Sequence, residues 1–155
     1  MVYLHTQIEI AAPPGKVREV LLDFSQMPSW LNGGPGIRNV QVKDPAKTGT
    51  AIEAGDVLIT HIDKTMFEPV VLVNDSSELK WRGSIPYIFT GDHSFQFKKS
   101  ETNEGGTTFV NEENFLGALS FLMLQWVMGA SAKKSFEALN GDLKRRVEGL
   151  VEEGK

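Results

Sequence analysis

Few side chains in this chain could do chemistry, and two of them, His93 and Glu113, are spaced so that they could meet. The stretch His93–Lys98 alternates, with Phe95 and Phe97 on the face of His93. Thr107–Phe115 alternates likewise, and Phe109 and Phe115 share their face with Asn111 and Glu113. A polar turn containing Gly105-Gly106 joins the two as a hairpin. Pairing Phe97 with Phe109 sets Phe95 opposite Asn111 and His93 opposite Glu113, and residues directly opposed on one face of a sheet touch. A histidine and a carboxylate in an apolar interior make an acid/base pair, the glutamate orienting and charging the imidazole. The same two groups also make a self-satisfied buried contact that fixes strand register, since a buried charge needs a partner. Spacing leaves both roles open. In the catalytic role, Tyr87 or Asn111 would be the proton donor to a carbonyl oxygen.

The other polar candidates are weaker. His5 falls on the polar side of an alternating strand, and the strand holding His61 has no clear inward face. No HxxxH or His-carboxylate spacing suits a metal, so no metal is expected. Ser84, Ser94 and Ser120 lack the surroundings of a nucleophile elbow. The loop Asn32-Gly33-Gly34-Pro35-Gly36 invites a phosphate reading, but no Lys-Ser/Thr and no helix N-terminus follow it, and it reads as a turn. Trp30, Trp81, Tyr87, Phe89, Phe115, Met123, Trp126 and Phe136 could line an aromatic pocket, although each taken singly is ordinary core material.

The elements that would position these residues follow from periodicity. Val2–Ile10 alternates as a half-buried strand, and Pro13-Pro14 opens a helix carrying Val17, Val20, Leu21 and Phe24 on one face. Ser25–Leu31 reads as a second short helix. Ile37–Val42, Val57–Ile62, Thr65–Val73 and Glu78–Ser84 read as strands before the hairpin. The longest element is a helix over Leu119–Val151, with Phe136, Leu139, Leu143, Val147 and Leu150 on one face and Lys134, Arg145, Glu148 and Glu152 opposite. Its first half is apolar all round and therefore buried. That order predicts an α+β fold, one domain over residues 1–155, in which a curved antiparallel sheet wraps a long C-terminal helix with two short helices after the first strand. Gly129 and Ala132 are small where the sheet offers aromatics. This spacing suits either a cavity or a close backbone approach.

Composition narrows the classes. The chain has 155 residues, a net charge of −4 with both signs mixed, and 0 cysteines. Disulfides, thiolate nucleophiles and zinc–thiolate sites are excluded, and no basic stripe argues for nucleic acid. No signal-peptide core is visible, and the run Ala118–Val127 is too short to cross a bilayer. A soluble, cytoplasmic protein with no stable membrane insertion is the expectation.

Several segments together resemble the SRPBCC superfamily, the START/Bet v 1-like group, in its polyketide cyclase/dehydrase branch. They are Leu79-Lys80-Trp81-Arg82-Gly83, Gly91-Asp92-His93-Ser94-Phe95, Gly106-Thr107-Thr108-Phe109 and Glu113-Asn114-Phe115-Leu116-Gly117. Pro13–Phe24 and Met27-Pro28-Ser29-Trp30 fit its start, and Phe136-Glu137-Ala138-Leu139-Asn140 its end. The resemblance implies the helix-grip fold and a deep apolar cavity between sheet and long helix. Trp81, His93, Glu113, Phe115 and Gly117 match its motif, and the glycine-rich loop of the plant branch is not matched. The expectation is a binder of a small apolar, lipid- or polyketide-like molecule without a cofactor. The ligand would be lined by Trp30, Trp81, Tyr87, Phe89, Asn111, Phe115, Met123, Trp126, Gly129 and Phe136. The alternatives are a cyclase/dehydratase using His93 and Glu113, and a cochaperone-like protein-binding module. The latter needs an exposed apolar patch, which the charged helix face does not offer.

Overall fold

The structure, a computed structural model, describes residues 2–122 and 129–155; the surroundings of Phe89, Leu122, Gly129 and Ala130 are not part of that description. The first strand, β1 (Val2–Ile10), alternates as its sequence requires, with Val2, Thr6 and Ile10 buried. Pro14 opens α1 (Pro14–Leu22), where a missing N–H costs nothing because the first turn has no acceptor for it. The second helix, α2 (Met27–Trp30), is shorter than the expected Ser25–Leu31 and packs on the strand that follows.

That strand is β2 (Ile37–Val42), followed by a 3-10 turn at Gly49–Ala51 and by β3 (Leu58–Ile62). The expected single strand Thr65–Val73 is two strands, β4 (Thr65–Phe67) and β5 (Val70–Asn74). Pro69 divides them, because it has no N–H for a ladder, and only its carbonyl is used, accepting from Leu58 N at 2.9 Å. The division changes the topology. The β4 strand pairs with β3 in a three-stranded sheet ordered β2-β3-β4, whereas β5 pairs with β6 (Glu78–Ile85) in the larger one.

The larger sheet has five strands in the order β1-β8-β7-β6-β5, where β7 is Phe89–Lys99 and β8 is Thr107–Leu116. All its neighbours run antiparallel. A bridge between Val57 and Val70 ties the two sheets together. After β8 come a helical turn α3 (Ser120–Leu122) and the long helix α4 (Gly129–Glu153). Whether the two are continuous, as the expected helix from Leu119 requires, falls on residues 123–128, outside the described residues. The α4 helix lies on β1, β8 and α1, burying Ala132, Phe136, Leu139, Leu143 and Val147 while Lys133, Lys134, Glu137 and Arg145 stay exposed. Its buried stripe is the helical-period face expected from the sequence.

The Asn32–Gly36 loop is a turn laid against α4. Gly33 and Gly36 take φ of 72° and 108°, a region that side chains avoid. A Cβ on Gly36 would stand 2.8 Å from Ser135 Cβ, so the glycine also permits close packing. Asn32 N donates to Asp142 Oδ2 at 2.8 Å, which fixes the loop to the helix.

Candidate functional site

The inner face of the five-stranded sheet is a grid of rows running across the strands. One row is Phe97, Phe109 and Ile8; the next is Leu79, Phe95, Asn111 and Thr6; the next is Trp81, His93, Glu113 and Leu4. The hairpin thus has the expected register, with His93 directly opposite Glu113. The row beyond, toward the turn joining β6 to β7, is Gly83, Gly91, Phe115 and Val2. Its β6 and β7 positions carry no side chain. Phe67 from β4 packs over the first of them, 3.4 Å from where a Cβ of Gly83 would be. The Glu113 carboxylate and the Phe115 ring fill the second, Oε1 lying 2.5 Å and Phe115 Cδ1 3.5 Å from where a Cβ of Gly91 would be.

Aromatic rings surround His93. Its centroid lies 4.4 Å from Phe95, 4.7 Å from Phe136 of α4 and 5.5 Å from Trp81. Such separations are those at which ring pairs attract beyond their buried area. His93 is nevertheless polar and buried, so both nitrogens need an account.

Nε2 lies 2.7 Å from Asn111 Oδ1 and begins a chain of hydrogen bonds whose direction is forced from its far end. The Asn111 carbonyl can only accept, so the Thr6 hydroxyl donates to it, at 2.8 Å. The Thr6 oxygen therefore accepts from Asn140 Nδ2, at 3.0 Å. Asn140 must then turn its Oδ1 to Asn111 Nδ2, at 2.9 Å. Asn111 is left presenting Oδ1 to His93, and an acceptor there requires a proton on Nε2. Thr6, Asn111 and Asn140 are all buried, and together they join β1, β8 and α4 to the imidazole of β7.

Nδ1 faces Glu113 Oε2 at 3.4 Å. That is longer than the roughly 2.7–2.9 Å of a tight charge-assisted hydrogen bond. Among the described residues it is the one close polar contact of this carboxylate, whose side chain is 18% exposed. The chemistry of the site follows. One imidazole nitrogen is held fast, and the other shares an aromatic wall with an under-bonded carboxylate.

The remaining candidates fall in several places. Trp81, Asn111, Phe115 and Phe136 are buried on this wall or on the helix face across it. Trp30 is buried on α2, which packs on β2 and α4, and it belongs to the general core. Tyr87 does not line the interior. It occupies the β6–β7 turn at φ 67°, fully exposed, because a tight turn after Pro86 needs a left-handed residue there. Phe89 belongs to β7 and Gly129 begins α4, but their surroundings lie outside the description. Met123 and Trp126 lie outside the described residues. His61 is half-buried on β3, with Nδ1 lacking a partner among the described residues. Among the described residues no helix is long and apolar enough to cross a membrane.

Gly83, Gly91, Thr6 and Asn140 carry the site but escaped the sequence reading as site residues. The glycines were detectable, since alternation puts Gly83 with Trp81 and Gly91 with His93. The apolar patch denied to the helix surface exists elsewhere. Ile85, Tyr87, Ile88, Leu119 and Phe121 are exposed around the β6–β7 turn and the β8–α3 connection, beside an open groove of about 340 Å³. A larger cleft of about 430 Å³ lies apart from the grid, between the α1–α2 junction and β2.

Solved structures of similar shape share little sequence. A hypothetical protein of Helicobacter pylori superposes with a TM-score of 0.72 at 14% identity, over 94% of this chain and 88% of that one. An aromatase/cyclase of Streptomyces sp. R1128 gives 0.64 at 16% identity over 94% and 95%. A START superfamily protein of Mycobacterium smegmatis gives 0.61 at 16% identity over 99% of each. These likenesses establish the helix-grip fold. No curated protein matches the sequence. The sequence profile of the family described as polyketide cyclase / dehydrase and lipid transport matches residues 1–148, nearly the whole chain. With that coverage and this fold, the chain belongs to the polyketide cyclase/dehydrase and lipid transport family of the SRPBCC superfamily.

Proposed function

We propose that this protein binds a small apolar molecule between the inner wall of the five-stranded sheet and α4, with the His93–Glu113 pair as its polar anchor. The observation that supports this most is the Glu113 carboxylate, set on an inner wall of aromatic rings with its side chain 18% exposed and a single close polar contact, 3.4 Å to His93, among the described residues. Ligand sites are typically apolar with a few placed polar groups, which describes this wall. The exposed apolar residues at the β6–β7 turn lie at the same end of the sheet and suit an entrance. Native mass spectrometry of protein purified from its own host tests the reading. A stoichiometric co-purifying apolar molecule is expected, and its displacement should follow substitution at Trp81 or Phe115.

A second reading is acid/base catalysis of ring closure or water loss, favoured by the anchored Nε2, which would hold Nδ1 and Glu113 in one geometry for proton transfer. Removing a positioned acid/base group typically costs ~10²–10⁴-fold in rate. Incubating wild type and His93→Ala with linear poly-carbonyl compounds separates the two. Turnover by wild type alone, with similar binding by both, would place catalysis at His93.

A further inference from the structure

We infer that the end of the molecule carrying the β6–β7 turn docks reversibly on an anionic phospholipid surface, with Ile85, Tyr87, Ile88, Leu119 and Phe121 entering the headgroup boundary. This goes beyond the reading of the inner wall and does not depend on what that wall holds.

Two uncharged stretches meet at this end. Residues 83–91 and 114–132 contain no Asp, Glu, Lys, Arg or His, in a chain of which 23% is charged. Strand pairing brings them together, Thr90 lying opposite Leu116 and Gly91 opposite Phe115. Most of the large hydrophobic side chains exposed among the described residues lie here, beside the open groove of about 340 Å³.

Tyr87 is the sharpest element of the patch. It holds φ 67°, where Gly, Asn or Asp would sit with little strain, and its ring is fully exposed. The fold accepts that strain without burying the ring. A tyrosine suits the boundary of a bilayer, which accommodates both an apolar ring and a polar hydroxyl.

Charge selects the partner. The first stretch is bounded by Arg82 and Asp92, which close on each other through two bonds of 2.7 and 2.8 Å. The second is bounded by Glu113, which faces the inner wall, and by Lys133 and Lys134, both exposed on α4. Asn140 bonds Thr6 of β1, and Lys144 bonds the Glu9 carbonyl further along the same strand. The α4 helix therefore runs with β1, away from Val2, which shares a row with Gly91 and Phe115. That direction puts Lys133 and Lys134 at the turn end, behind an uncharged tip. A phospholipid surface matches both features, taking apolar side chains to a depth of about 5–10 Å and offering anionic headgroups to nearby lysines. A second copy would instead set the same lysines against each other, because a two-fold contact is made by one patch with itself.

The test is sedimentation of the full chain with vesicles of phosphatidylcholine alone and of phosphatidylcholine mixed with phosphatidylglycerol. Wild type is expected to bind the mixed vesicles, and less so as salt rises. The double variant Tyr87→Asn/Phe121→Ser should lower that partition about tenfold or more, since it removes two rings from the contact. Asparagine tolerates the left-handed backbone and Phe121 is exposed, so the thermal midpoint should not fall. Lys133→Gln/Lys134→Gln should also lower binding to the mixed vesicles about tenfold or more. Wild type that binds neither vesicle, or both equally, overturns the inference, and so does a partition unchanged in the folded Tyr87→Asn/Phe121→Ser protein. A dimer seen by light scattering that this variant dissociates, with no vesicle binding, assigns the patch to a second copy and overturns it too. The wild-type comparison of the two vesicles decides even where a variant fails to fold.

Discussion

Glu113 and Gly91 occupy one space: a Cβ on Gly91 would stand 2.5 Å from Glu113 Oε1 and 3.5 Å from its Cδ. The glycine has no left-handed backbone to explain it. Its role is to leave room for the carboxylate that faces His93 from the neighbouring strand.

The first prediction follows directly. In Gly91→Ala the clash falls on the far end of a flexible side chain, so the carboxylate moves and the sheet does not. Stability should change by no more than about 1 kcal/mol, helped by the lower entropy of the unfolded alanine chain. The Glu113–His93 contact should be lost, visible as a changed Nδ1 shift in nitrogen NMR of the ring. An unmoved ring signal would show that the carboxylate had room to stay.

The second prediction concerns the chain from Thr6 to His93. Because its direction is set by the Asn111 carbonyl, Nε2 of wild-type His93 should resonate as a protonated nitrogen at neutral pH. Asn140→Ala leaves Asn111 Nδ2 only its long 3.5 Å bond to the Phe136 carbonyl and removes the donor to Thr6, at roughly 1–3 kcal/mol for a buried group left unpaired. Urea midpoints measure this. Combined with Thr6→Val the losses should be clearly less than additive, because the two changes remove one shared bond. Strict additivity would mean the groups act separately.

A third prediction lies on the outer face of the sheet. Tyr3 donates its hydroxyl to Glu112, and chiefly that bond pushes the phenol up to about 12 from its ordinary 10.0. The folded value exceeds the unfolded one. The stabilisation is therefore fully present below pH 10 and is lost as pH rises through about 12. Ultraviolet titration should show one tyrosine ionising late, and Tyr3→Phe should abolish that late step. A single tyrosine transition near the ordinary value would remove the bond to Glu112.

How far these arrangements were legible depends on the kind of pattern involved. The hairpin register was readable because Phe95, Phe97 and Phe109 mark one face unambiguously, and a period of two carries His93 and Glu113 with them. The helix face of α4 was readable for the same reason at its own period. The division of Thr65–Val73 was signalled by Pro69, which cannot donate to a ladder, but the strand formers on either side outweighed it in the reading. The Thr6–Asn140–Asn111 link could not be read at all. It joins three elements far apart in sequence, and alternation gives the face of a residue but not its partner across the core. Tyr87 misled because an aromatic residue near a strand end suggests lining, whereas the turn geometry sends it outward.

The last prediction tests the space between wall and helix. Ala132 is 4% exposed and lies one helical turn before Phe136, whose ring touches His93. One turn of α4 is about 5.4 Å of rise. That offset, from the row of His93 toward the start of the helix, puts Ala132 level with the row of Gly83, Gly91 and Phe115. Where a ligand-sized gap exists, the added methylenes of Ala132→Leu occupy it. The thermal midpoint should then hold or rise while affinity for 2-naphthol, a small apolar probe, falls about tenfold or more. Where helix and sheet already touch, the same change overpacks the contact and costs about 1–3 kcal/mol. Differential scanning calorimetry with the naphthol titration distinguishes the two. A destabilised protein of unchanged affinity would place the ligand elsewhere than between Ala132 and the glycine row.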